Sequence, residues 1–264
     1  MKKFFVFAAA AAALVSCNKN VFQGTGSEEL YGSISLGVNA ESEMLVTKAS
    51  TSMSGEQLAS YNITLTKIEA EENTVVWDHR EYSSITDWKV PAGTYSLEVE
   101  NYTIEEAGAA NEGKGAVRVL GATTENFTVE AGKTTDVAVE CTPQNSRLSF
   151  AADAAFNSVF SSATVSVTEP RTVDLGTPAL NHETSTSAYF EPVTVKWTLT
   201  ATTALGSKQK TFNGTVDLQK AKWSQVNFTT SNTDGAINIT VSVDGEITEV
   251  VSVNETIDPT QSAE

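Results

Sequence analysis

Apolar and polar residues alternate with a period of two along most of this chain. Ser33-Ile34-Ser35-Leu36-Gly37-Val38 alternates strictly, and so do residues 61–68, 94–99, 126–129 and 135–139. Successive side chains on a strand point to opposite faces, so this pattern, written in Val, Ile, Thr and Tyr, predicts half-buried antiparallel strands. Pro91-Ala92-Gly93 and Ala131-Gly132-Lys133 fall between strands and supply turn chemistry, fixed φ from proline and positive φ from glycine. Helical spacing is confined to single turns at residues 56–60 and 152–157. The fold class expected is all-β.

The strand order repeats after Thr142-Pro143-Gln144-Asn145. Arg147-Leu148-Ser149-Phe150 answers residues 33–36, and residues 163–168 answer 61–66. Residues 192–200 resemble 88–100, and residues 212–218 with 223–228 resemble 127–139. This echo predicts two antiparallel β-sandwich domains, transthyretin-like or immunoglobulin-like, at residues 30–142 and 143–257, followed by a polar tail at 258–264. Within the second, residues 236–253 turn at Asp244-Gly245, a strong two-residue hairpin signal.

The first residues have a different character. Lys2 and Lys3 precede an apolar run over residues 4–15, and Leu14-Val15-Ser16-Cys17 closes it. A positive start, a short apolar segment and small residues before a cut make a secretory signal, and a cysteine at the cut resembles the bacterial lipobox. Twelve apolar residues would span about 18 Å as a helix, short of a bilayer core of roughly 30 Å. Residues 1–16 are therefore expected to be a lipoprotein signal peptide and Cys17 the acylated first residue. Residues 17–29, polar and Gly-containing, suit a flexible tether.

Charge narrows the choice of partners. Removing Lys2 and Lys3 takes the formal net charge from −16 to −18. Affinity for phosphate backbones comes from clustered Lys and Arg, which this chain lacks, so a nucleic-acid partner is excluded. The same acidity disfavours adhesion to anionic lipid and leaves the acyl chains on Cys17 to hold the membrane. Apolar residues at 40% of the chain are enough for packed cores. With Cys17 lipidated, Cys141 has no partner in the chain, so no disulfide is expected. Its place in Val137-Ala138-Val139-Glu140-Cys141 makes it a buried strand residue rather than a nucleophile, which would need a nearby base.

Candidate chemistry is sparse. Gly108-Ala109-Ala110-Asn111-Glu112-Gly113-Lys114-Gly115 follows phosphate-loop spacing, but Gly115 replaces the hydroxyl residue and strand-like sequence follows it, so an inter-strand loop is expected. His79 beside Asp78 could be an oriented base, yet adjacent strand residues face opposite ways and would need a bulge to meet. His182 reads as a solvated loop residue. No zinc spacing, nucleophile elbow or calcium loop occurs, so the chain is expected to be no enzyme and to hold no metal or cofactor. Trp197, on one face with Val195 and Leu199, is expected in a core. Trp77 and Trp88 flank a loop and are the candidates for exposed contact with a ligand such as a glycan.

The lipobox and the strand phrases Tyr31-Gly32-Ser33-Ile34-Ser35-Leu36-Gly37-Val38, Val46-Thr47-Lys48-Ala49, Val90-Pro91-Ala92-Gly93-Thr94-Tyr95-Ser96-Leu97-Glu98-Val99 and residues 127–135 resemble a domain-of-unknown-function family of lipoproteins from gut and oral Gram-negative bacteria, allied to fimbrillin-like and adhesin-like proteins. The resemblance implies a lipid-anchored outer-membrane protein, surface-facing or periplasm-facing, that acts by binding as an adhesin or fimbrial accessory subunit. Its implied partners are membrane lipid, other fimbrial or surface subunits, or a glycan. The alternatives are a surface glycan-binding lipoprotein using loop aromatics and a periplasm-facing structural lipoprotein. By the same resemblance Lys48 is a candidate site of proteolytic maturation. No acidic run follows Cys17, where exported surface lipoproteins of such bacteria tend to carry one.

Overall fold

In the first half of the chain, alternating residues become β1 (Tyr31–Ala40), β2 (Thr51–Ser52), β3 (Asn62–Ile68), β4 (Thr74–Glu81), β5 (Lys89–Pro91) and β6 (Gly93–Glu100). Helix α1 (Ile104–Ala109), β7 (Val119–Ala122), β8 (Phe127–Val129) and β9 (Thr134–Pro143) complete it. The computed structural model describes residues 30–40, 51–180, 186–204, 208–233, 236–244 and 246–253. Cys17, Lys48 and His182 lie outside them. The strands form one sheet of order β2-β1-β9-β7-β6-β3-β4, with β5 added to β1 and β8 to β6. Within this sheet, among the described residues, β1 and β9 are the one parallel pair, from Ser33↔Thr134 to Ala40↔Cys141. The end of β9 then pairs with β7 at Val119↔Pro143. Ile34, Val38, Ile63, Leu65, Tyr95, Leu97, Val99, Val139 and Cys141 fill the enclosed core.

The second half has β10 (Ser146–Ala152), α2 (Ala154–Val159), β11 (Phe160–Glu169), β12 (Val173–Gly176) and β13 (Ser187–Phe190). It continues with β14 (Thr194–Thr203), β15 (Gln209–Asp217), β16 (Trp223–Thr233), β17 (Ala236–Val243) and β18 (Glu246–Val253). Two sheets result, β13-β10-β16-β17-β18 and β12-β11-β14-β15. Their core holds Leu148, Phe150, Phe156, Val165, Trp197, Leu199 and Phe228. Phe150 stacks on Phe228 at 6.2 Å, and Trp197 meets both edge-on at 5.9 and 5.4 Å, the geometry that aligns ring edges with π faces. Trp197 is thus a core residue, as its alternation implies. The Asp244 turn joins β17 and β18 as a hairpin, with Asp244 at φ 51. At Gly214 the backbone passes so close to Trp197 that an added Cβ would stand 2.2 Å from Cζ2.

The pairing scheme of the first half recurs in the second. β10 pairs in parallel with β16 as β1 does with β9, and β13 lies antiparallel on β10 as β5 does on β1. Strand β11 sits between β12 and β14 as β3 sits between β4 and β6.

The segment expected as a loop at Gly108 to Gly115 is more ordered than that. Thr103 and Glu106 cap α1 reciprocally: Glu106 N–H donates to Thr103 Oγ1 at 3.3 Å, and Thr103 N–H donates to Glu106 Oε2 at 2.9 Å. The amides of Gly113, Gly115 and Ala116 donate to the carbonyls of Ala110, Ala110 and Ala107. Backbone donors committed in this way do not cradle phosphate.

Candidate functional site: the bulged edge at β4

Strand β4 ends the first sheet and, among the described residues, pairs on one side only, with β3. Its register on β3 is Ile63↔Arg80, Leu65↔Trp77 and Thr66↔Val75. Asp78 and His79 therefore oppose Thr64 alone, and Val76 is an extra residue between two paired ones. These are two β-bulges in four residues, one on each side of Trp77. They break the alternation, so Trp77 points inward while Val75 and Val76 are both turned out, 54% and 37% exposed.

Trp77 and Trp88 are placed differently from the sequence expectation. Trp77 is 8% exposed and belongs to the core, and Trp88 is half-buried against that core. Their rings meet edge-to-face at 5.3 Å, and Tyr82 tilts onto Trp88 at 5.4 Å. Trp77 is therefore a packing residue, and Trp88 packs edge-on against it while part of its own surface stays open.

The bulge also brings Asp78 and His79 together, which regular alternation forbids. His79 takes φ 43 and donates its backbone N–H to Thr64 Oγ1 at 3.2 Å. Its Nδ1 is 2.6 Å from Asp78 Oδ1 and its Nε2 is 3.1 Å from Glu100 Oε1 on β6. The hydrogen bond to Asp78 raises the imidazole pKa; burial, the next largest effect, opposes it, and the charges of Glu100, Asp78 and Glu98 add to the rise. Glu100 is itself pushed up by burial, which outweighs the lowering by His79 and Arg118. Both pKa values are raised, the imidazole's by its carboxylate neighbours and the carboxylate's by loss of water.

Cys141 is buried on β9, with its Sγ 3.6 Å from the Val99 carbonyl, and burial pushes its thiol up to about 12. Such a thiol is protonated and inert at neutral pH. Among the described residues no group of three or more His, Cys, Asp or Glu side chains could hold a metal ion, and no helix is long and apolar enough to cross a membrane.

Fold and edge together define a strand-built protein with two cores and, among the described residues, a sheet margin paired on one side only that carries exposed Val75 and Val76. Residues 31–259 match the model of a domain of unknown function, DUF4493, and the chain belongs to that family, in line with the family resemblance of its strand phrases. Comparison with curated proteins finds no match. Among solved structures it is similar to a candidate cell adhesion protein from Bacteroides ovatus ATCC 8483, at 12% identity over 83% of this chain and 99% of that one, TM-score 0.42. Another is a candidate cell adhesion protein from Bacteroides fragilis NCTC 9343, at 11% identity, 80% and 97% coverage and TM-score 0.41. A third is the fimbrial anchor protein Mfa2 from Porphyromonas gingivalis, at 10% identity, 81% and 98% coverage and TM-score 0.35. Those descriptions belong to those proteins.

Proposed function

We propose that this chain is a membrane-anchored, non-catalytic binding protein of the adhesin or fimbrial accessory type, acylated at Cys17 and held at the outer membrane. Its two halves act as two sandwich domains, residues 30–142 and 143–257, projected by the tether at 17–29. Support for the anchor is the signal-and-cysteine pattern of residues 1–17. Support for two domains is the pair of separate hydrophobic cores, one in each half.

The single observation that carries a binding role is the β4 edge. A one-sided strand offers its outer backbone groups to a further strand, and proteins that do not use such an edge cover or charge it. The Asp78–Glu81 end of β4 is charged in that way, whereas its Thr74–Val76 end carries no charge and bears exposed Val75 and Val76. The partner is another surface subunit that adds a strand.

Three measurements test the reading. Radiolabelled palmitate enters the wild type and not Cys17→Ala, and protease added to intact cells removes the protein if it faces outward. Cross-linked surface subunits recovered with the protein fall several-fold in Val75→Lys/Val76→Lys. Unchanged recovery with that variant defeats the edge, and failure of palmitate to enter the wild type defeats the anchor.

A further inference from the structure

A cleft of about 560 Å³ opens where α1 meets the chain around β13. One wall is the i, i+3, i+4 face of α1, formed by Ile104, Ala107 and Gly108, and Pro170, Phe190 and Val193 face it. Ile104 is 60% exposed and Val193 is also exposed, an uncommon state for branched aliphatic side chains that share one concavity. The volume lies in the range of small-molecule sites, which are apolar with a few placed polar groups.

The placed polar group is Arg171. One Nη donates to the Gly113 carbonyl and the other to the Tyr189 carbonyl at 2.5 Å. A guanidinium has five N–H donors, so three are left over. Among the described residues no carboxylate lies within ion-pair distance of Arg171, although the chain has 33 acidic residues to 17 basic ones. Arg171 is half-buried, and burial pulls its pKa below the usual arginine value. A cation in that position gains more from an anion than an exposed one does, because less water screens the pair.

The other lining groups narrow the anion to one class. Glu191 is engaged by Arg118 at 3.2 Å, and Glu105 is exposed to solvent, so neither competes strongly at Arg171. Both ends of the Asn145 amide are committed, its Oδ1 to Arg118 N–H at 3.0 Å and its Nδ2 to the Ala116 carbonyl at 2.7 Å. The remaining polar side chains of the wall are Glu105 and Tyr189, an acid and a phenol that offer an anion no second cation. The Arg171 guanidinium already covers the Phe190 ring at 4.5 Å, so that aromatic face is closed to stacking. What remains is one cationic fork above an aliphatic trough.

We propose that this cleft binds a small aliphatic carboxylate, with the Arg171 guanidinium taking the carboxylate and Ile104, Ala107, Pro170 and Val193 covering the alkyl chain. The site is independent of the β4 edge and of the lipid on Cys17.

The experiment titrates the unlipidated full chain, Cys17→Ala, with octanoate, 1-octanol and octylamine by calorimetry. Octanoate saturates one site and binds roughly tenfold to a hundredfold tighter than 1-octanol, the usual weight of a charge-assisted hydrogen bond. Octylamine is the weakest of the three. Arg171→Met removes the preference for octanoate and leaves 1-octanol unchanged. Ile104→Asp, at an exposed position that folding tolerates, weakens octanoate and 1-octanol together. If circular dichroism reports that Arg171→Met is unfolded, the wild-type preference and Ile104→Asp decide the matter. The proposal is overturned if millimolar octanoate gives no saturable heat, if octanoate binds no tighter than 1-octanol, or if Ile104→Asp leaves octanoate binding intact.

Discussion

His79 Nε2 stands 3.1 Å from Glu100 Oε1, across the intervening strand β3, while Nδ1 of the same ring is 2.6 Å from Asp78 Oδ1. An imidazole with a carboxylate at each nitrogen satisfies both only as the doubly protonated cation. The His79 pKa is accordingly raised above 6.5, by the Asp78 hydrogen bond first. A group raised on folding contributes stability that is complete below its unfolded value and is lost as pH climbs through its folded value. The bulge at β4 therefore loosens on the alkaline side of 6.5. Proton NMR of His182→Gln, which keeps His79 as the one histidine, gives a midpoint above 6.5 that falls in Asp78→Asn and in Glu100→Gln. Unfolding midpoints from about pH 6 to about pH 9 decline more in the wild type than in His79→Gln. A midpoint at or below 6.5 contradicts the two-carboxylate reading.

Asn145 holds the junction between the halves. Its amide serves Arg118 N–H and the Ala116 carbonyl, and its own carbonyl accepts from Ala221 N–H. Asn145→Ala leaves two backbone groups without partners, at about 1–3 kcal/mol for each group that stays dry. Urea denaturation measures the loss. Asn145→Asp keeps the acceptor and gives up the donor, so it falls between wild type and alanine.

Gly214→Ala drives a methyl into the Trp197 indole, whose Cζ2, Cε2 and Nε1 would lie 2.2, 2.6 and 3.0 Å from it. The overpacking destabilises by about 1–3 kcal/mol. These three atoms belong to the part of the indole that phenylalanine lacks. Trp197→Phe costs stability alone through the cavity it leaves, yet the double variant is more stable than the two losses added together. A thermal-melt double-mutant cycle with strictly additive effects would refute the contact.

Cys141, with its thiol pushed up to about 12 by burial, stays protonated across the accessible pH range. In Cys17→Ala, iodoacetamide labels the folded chain only as fast as the chain opens, and adding denaturant releases rapid labelling. Native labelling at the rate of a free thiol would place Cys141 at the surface.

Period-two alternation made most strands legible, because burial on one face writes itself into every second residue. The bulges of β4 were not legible. Residues 74–81 show no strict alternation and Trp77 read as flanking a loop; only their register on Thr64, Leu65 and Thr66 turns Trp77 inward and Val75 outward. Helix α1 had a local signal, Thr103 followed three residues later by Glu106, which the glycines after it obscured. The Arg171 cleft had none: Gly113 is 58 positions from Arg171 and Tyr189 is 18, and no local pattern encodes such meetings.

The parallel seam of β1 and β9 also has a mechanical meaning. A tug that drew residue 31 toward a membrane and residue 143 away from it would slide these strands lengthwise past each other. Eight register pairs, Ser33↔Thr134 through Ala40↔Cys141, would then bear the force at once and not peel open singly. The β10–β16 seam, from Arg147↔Trp223 to Ala152↔Phe228, is its counterpart in the second half. A chain moored at one end and gripped at the other thus meets tension in shear, the direction in which a ladder of hydrogen bonds holds longest.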